Sequence, residues 1–277
     1  MLRDETGTTQ IFSDESALTT LEHYINICIT ETMGAEYNID SFNLSRIDCC
    51  VNVMLSEDYS AARYIKLIRR SIITRSKKNE ILYDSSKKNY KEKNKHNFRL
   101  ITDNVTFTAY DKYYQLDDIR VDYESISDSL LRLELSYNRE DIAEKIQISG
   151  LEHNIDVIGD YLRLSRFYFT KFIRSHFHIG AYCSYALMKD IIEKASLRRN
   201  TKKYMLDHAK LQCGKKSYIS AIKGTLKALG SGKKLHTMLC GFEELGINPT
   251  TLSTRDMLGI SCIPGLYEIL NIPQKES

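Results

Sequence analysis

The hydrophobic and polar positions of this chain change their period about midway along it. Between residues 41 and 138 three stretches alternate with a period of two, as half-buried strands do. "SFNLSRIDCCVNVML" (41–55) puts Ile47, Cys49, Val51 and Val53 on one side and Arg46, Asp48, Cys50 and Asn52 on the other. "NVTFTAYDKYYQL" (104–116), read as one strand, puts Val105, Phe107, Ala109, Asp111 and Tyr113 on one side. Its other side carries Thr106, Thr108, Tyr110, Lys112 and Tyr114. "SLLRLELSYNR" opposes Leu131, Leu133, Leu135 and Tyr137 to Arg132, Glu134 and Ser136. "NFRLITD" adds a shorter strand before the second of these.

Helical spacing is seen first in "SDESALTTLEHYINICITETMG", with Ser13 as its N-cap, and in "DYSAARYIKLIRRSIITRS", whose polar side carries Lys66, Arg69 and Arg70. From about Asp141 onward it dominates, in "GDYLRLSRFYFTKFIRSH", "YCSYALMKDIIEKA", "KSYISAIKGTLKALG" and a last "GLYEIL". Helix breaks are expected at "LGSGKK" and "GINPTT". The expected fold is therefore α+β: a twisted antiparallel sheet with helices packed on one face, followed by a helical C-terminal region. The division expected is 1–140 for a sheet-based catalytic domain and 141–277 for a helical region that completes the fold.

Composition adds three points. The 277 residues suffice for a large core. No apolar run of roughly 18 residues predicts a spanning helix, and "MLRDETGTTQ" lacks the apolar stretch of a signal peptide. Seven cysteines without paired metal-type spacing read as reduced thiols, and the expectation is a cytoplasmic protein with no membrane partner.

The net charge of +3 conceals an asymmetry. From Lys66 to Lys95 eleven Lys and Arg face three acids, a net +8 that leaves −5 for the rest of the chain. Such a block, including Lys87, Lys88, Lys91 and Lys93, points to a polyanion held by its phosphates.

With the three alternating strands in one sheet, the accessible face gathers Asp48, Tyr110, Lys112, Arg132 and Glu134. Two carboxylates can hold Mg²⁺ or Mn²⁺ through oxygen, and such a cation can polarise a phosphodiester. A phenol is a weak nucleophile near neutral pH, and a neighbouring lysine or metal favours its phenolate.

The order "SRIDCCVNV", "FTAYDKYYQL", "LLRLELSYNR" resembles the successive motifs of rolling-circle replication initiators of the filamentous-phage gene II/gene X type, found in phages, plasmids and integrative elements. The likeness covers roughly residues 42–138, and "LGINPTTLSTRDMLGISCIPGLYEIL" is loosely similar to the ending of these proteins. The resemblance implies a site-specific DNA nickase, in which Tyr110 is the nucleophile, Lys112 and Arg132 neutralise the phosphate, and Asp48 and Glu134 hold the metal. Arg46, Lys66, Arg69, Arg70 and the lysines at 87, 88, 91 and 93 would bind single-stranded or hairpin DNA, with host replication proteins as further partners. Gln115 stands where many relatives carry glutamate, and Tyr113 and Tyr114 compete with Tyr110 for the nucleophile's role. Two readings from other classes are a non-catalytic DNA-binding regulator and a basic adaptor for a protein partner. A second metal motif, His176-Phe177-His178, would need strand geometry in a stretch that reads as helix end and turn. No nucleotide-binding loop or nucleophile elbow is spelled out.

Overall fold

The structure, a computed structural model, describes residues 18–56, 58–73, 94–102, 105–118, 129–214, 217–252 and 259–272. Four strands, β1 (Arg46–Met54), β2 (Asn97–Ile101), β3 (Val105–Asp111) and β4 (Leu130–Asn138), form an antiparallel sheet in the order β1-β4-β3-β2. The fold is α+β, with its later elements almost all helical. Helices α1 (Leu18–Met33) and α2 (Ala61–Ser71) precede β2, and α3 (Lys112–Asp118) directly follows β3. After β4 come α4 (Arg139–Ser149), α5 (Asn154–His176), β5 (Tyr182–Cys183), α6 (Tyr185–Lys194), α7 (Arg199–Cys213), α8 (Tyr218–Leu229), α9 (Gly232–Glu244), β6 (Cys262–Ile263) and α10 (Leu266–Ile269). Ser13 and the lysines at 87, 88, 91 and 93 lie outside the described residues.

Two strands keep the faces their alternation predicts. On β4 Leu131, Leu133, Leu135 and Tyr137 are buried, while Arg132, Glu134 and Ser136 are half-buried. On β1 Cys49 and Val53 are buried, and Arg46, Asp48, Cys50 and Asn52 are exposed.

The third strand corrects the expectation twice. β3 stops at Asp111, because the Asp111 carboxylate accepts the Tyr114 backbone N–H at 3.1 Å. A side-chain oxygen bonded to the amide three residues on is how an N-cap starts a helix, so Lys112, Tyr113 and Tyr114 belong to α3. Nor is the hydroxyl face of β3 open: Thr108 and Tyr110 are buried. A strand with neighbours on both sides, β4 and β2, has no free edge, and here neither face is left open.

The chain divides into two compact units, each assembled from separate segments. The first draws its described residues from Met1–Cys50, Ile101–Phe107 and Glu134–Phe169. In it Asn154 donates through its side-chain amide to the carbonyls of Ile39 and Phe42, and Asp40 accepts from the Asn154 amide and from His153. In the same unit Tyr137, Tyr161 and Tyr168 form a cluster with ring centroids 4.9 to 5.6 Å apart. The Lys145 ammonium sits 4.7 and 4.8 Å from two of the centroids, paired with Asp160 and the Tyr168 hydroxyl. Burial and these partners keep the cation enclosed rather than solvated.

The second unit comprises Val51–Leu100, Thr108–Leu133 and Thr170–Ser277, again as far as they are described. Its core packs Cys183, Met188, Ile192, Met205, Ala209, Met238, Phe242 and Ile247 from β5, α6, α7, α9 and the turn that follows. Ser184 and Ser217 cap α6 and α8 by accepting the amides three residues on, and Gly230, at φ +62°, ends α8 where the sequence breaks. Gly180 allows a close crossing: at φ +93°, a Cβ there would lie 2.6 Å from the Gly246 carbonyl. Helix α2 buries Tyr64, Ile65 and Ile68, and the Tyr64 hydroxyl donates to the Pro264 carbonyl at 2.9 Å.

Candidate active site

Among the first unit's residues, Arg46 links the polar positions of β1 and β4. Its Nε donates to Asp48 Oδ1 at 2.7 Å and its Nη2 to the Ser136 hydroxyl at 3.0 Å. The hydrogen bond to Asp48 raises the Arg46 pKa above its ordinary value, with smaller help from the Asp48 and Glu134 charges. Arg46, Asp48 and Glu134 thus share one electrostatic neighbourhood, on the side of the strands away from the core.

As a cation site this cluster supplies two carboxylates, one of which already carries a guanidinium. Among the described residues no group of three or more His, Cys, Asp or Glu side chains could hold a metal. The donor set therefore suits only a hard cation that keeps waters and takes its remaining ligands from a bound phosphate, the usual habit of Mg²⁺.

In the second unit the tyrosine motif is arranged differently from a strand face. Tyr110 is 7% exposed, at the buried end of β3. Lys112, though on α3, turns back so that Nζ stands 5.9 Å from the Tyr110 ring centroid and donates to Gln115 Oε1 at 2.9 Å. Gln115 accordingly serves as a partner for the lysine. Tyr113 is 44% exposed. Arg132 is half-buried on β4.

A pair that the sequence reading missed lies beside this motif. His96 Nδ1 donates to Asp111 Oδ2 at 2.8 Å, and the Asp111 backbone N–H donates to the His96 carbonyl at 2.9 Å. Tyr114 stacks on the imidazole, with centroids 3.9 Å apart and planes 9° from parallel. Asp111 thus joins the end of β3, the start of α3 and the residue before β2. One signal was available: Asp111 falls on the strand's apolar side, and a buried carboxylate requires a partner.

The expected DNA-binding residues divide. Lys66 is exposed and Arg70 half-buried on α2. Arg69 is turned inward instead: its Nη2 donates to the Asn94 and Asn97 carbonyls, and its guanidinium lies 5.9 Å from the Phe98 ring centroid. This arginine ties α2 to the start of β2.

The two histidines of the H-x-H motif are engaged separately. His176 ends α5, its Nδ1 within 2.8 Å of the Phe172 carbonyl and its ring stacked on Phe172. His178 turns its ring edge-on to Tyr218, 4.8 Å between centroids, and burial pushes its pKa down to about 4.

Among the described residues no helix is long and apolar enough to cross a membrane. Comparison of the chain with protein-family models, with curated proteins and with solved structures finds no match.

Proposed function

We propose that this chain is a site-specific DNA nicking and joining protein that initiates rolling-circle replication of a phage, plasmid or other mobile element. The observation that carries the reading is the contact between Lys112 and the Tyr110 ring, within a sheet that orders the three motif strands as β1, β4 and β3. The motif resemblance and the basic segment from Lys66 to Lys95 support it from the sequence side.

The chemistry follows from the side chains. The Tyr110 phenol oxygen attacks the scissile phosphorus and gives up its proton, a P–O bond to tyrosine forms, and the bond to the 3′ oxygen breaks. The products are a 5′-phosphotyrosyl link and a free 3′-OH for a polymerase. Lys112 and Arg132 supply positive charge to the phosphate as charge develops on it. Asp48 and Glu134 would hold Mg²⁺ or Mn²⁺, which when bound polarises the phosphate. Lys66 and Arg70 would contact the DNA backbone, a role that confers affinity without sequence preference.

Tyr113 is the alternative nucleophile, favoured by its exposure. The rival reading is a non-catalytic DNA-binding regulator on the same scaffold. The deciding experiment incubates the chain with labelled single-stranded DNA of its element and Mn²⁺ and looks for a covalent adduct on a denaturing gel. An adduct mapped by mass spectrometry to Tyr110 supports the proposal, and one mapped to Tyr113 moves the nucleophile. Binding without any adduct leaves the regulator.

A further inference from the structure

Cys183 and Cys262 stand directly opposite each other where β5 pairs antiparallel with β6. Next to them the Ser184 backbone N–H donates to the Ser261 carbonyl at 2.7 Å. Ser184 and Ser261 are therefore a hydrogen-bonded pair. Pair types alternate along an antiparallel ladder, so Cys183 and Cys262 form a non-hydrogen-bonded one. A second bond agrees: the Cys183 carbonyl accepts from the Leu252 N–H at 2.9 Å, and so is committed elsewhere than to β6.

Non-hydrogen-bonded pairs bring their Cα atoms to about 4.5 Å and their side chains closest together. That spacing falls inside the window of roughly 4.4–6.8 Å that a disulfide accepts. The two sulfurs are already 3.6 Å apart. We propose that Cys183 and Cys262 are a redox-active thiol pair that closes to a reversible intramolecular disulfide under a disulfide oxidant of the glutathione class.

The two thiols differ in access, which orders the steps. Cys262 is exposed, while Cys183 is 1% exposed and its thiol is pushed up to about 12 by burial. Cys262 is the point of entry. Its thiolate attacks one sulfur of oxidised glutathione, forming the Cys262–glutathione bond and expelling one glutathione thiolate. Cys183 then attacks the Cys262 sulfur and expels the second. Two protein thiols become one disulfide, and their two protons and two electrons end on two molecules of glutathione.

The cross-link would span 79 residues of sequence and enclose α6 to α9. It would also fix the segment that carries Leu266 and Tyr267, both buried, and the Pro264 carbonyl that holds Tyr64. A covalent closure of so long a loop restricts the unfolded chain and raises the thermal midpoint. None of this depends on the nicking reading.

The test treats the full chain with mixtures of oxidised and reduced glutathione, alkylates the remaining thiols, digests it and maps the peptides by mass spectrometry. The expected result is a linked Cys183–Cys262 peptide that dithiothreitol abolishes, together with a raised midpoint for the oxidised chain. Cys262→Ser removes both, and Cys183→Ser leaves glutathione on Cys262. Peptide mapping of the unsubstituted chain is decisive even if a variant fails to fold. The proposal is overturned if Cys262 carries glutathione with no linked peptide, pairs with another cysteine, or stays unmodified.

Discussion

The Lys112 ammonium lies 5.9 Å from the centroid of the Tyr110 ring although the two residues belong to different elements. Asp111 sits between them, ending the strand with one carboxylate oxygen and holding His96 with the other. The lysine reaches the tyrosine by bending back from the first turn of a helix, held by Gln115.

This contact makes a separable prediction for the two side chains. If Tyr110 is the nucleophile proposed above, Tyr110→Phe removes the attacking oxygen and should abolish the DNA adduct while DNA binding persists. Lys112→Met should keep the adduct on Tyr110 but slow its formation by roughly 10²-fold, the scale seen when one electrostatic stabiliser is lost. Single-turnover nicking rates beside binding isotherms check both. Equal rates for Lys112→Met and the unsubstituted chain would remove the lysine from the chemistry.

The carboxylates make a second prediction. If Asp48 and Glu134 hold the proposed cation, it should bind weakly without DNA and more tightly with it, since phosphate completes its shell. Titrating Mn²⁺ with and without a cognate oligonucleotide, by electron paramagnetic resonance, measures this directly. Asp48→Ala and Glu134→Ala should each stop nicking, and full activity in excess EDTA would exclude the metal from the reaction.

Asp111 predicts an effect on stability. Asp111→Ala removes the acceptor of the Tyr114 amide and that of His96 Nδ1. A lost cap costs about 1 kcal/mol and a lost hydrogen bond to the half-buried His96 ring about 0.5–1.5 kcal/mol, so a loss of about 1.5–2.5 kcal/mol is expected in urea unfolding. Asp111→Asn can still cap the helix and should lose less. If the alanine variant unfolds like the unsubstituted chain, the carboxylate does not secure this junction.

Acid should weaken the second unit. Burial lowers both His178 and His208 from 6.5 to about 4, so the folded protein holds them neutral. Above pH 6.5 neither form of the chain takes up their protons, and stability is fully present. Between pH 6.5 and 4 the unfolded chain binds protons that the folded one refuses, and stability falls as pH drops. The loss amounts to roughly 3 kcal/mol for each histidine across that window. Urea titrations at pH 7.5, 6 and 5 (roughly spanning it) should give a falling midpoint. His178→Phe should flatten the slope, because it removes one of the two titrating rings; among the described residues the buried His178 Nε2 has no hydrogen-bond partner to lose. An unchanged slope would place the acid sensitivity elsewhere.

The alternation of β1 and β4, the helical period after Asp141 and the stop at Gly230 were all legible in the sequence. Each of these depends on residues a few positions apart, and burial of one face repeats at the local period whatever the partner is. Four features were not legible: the helix that begins at Lys112, the burial of Tyr110, the use of Arg69 to hold the Asn94 and Asn97 carbonyls, and the meeting of Cys183 with Cys262. Period two extends through "AYDKYY" if Asp111 is accepted on its apolar side, and only a partner for the second oxygen of Asp111, His96 on a separate segment, distinguishes a buried cap from an ordinary strand residue. Which strand flanks which, and which segment brings a carbonyl or a thiol within reach, is set by contacts between distant parts of the chain, and these leave no period to read.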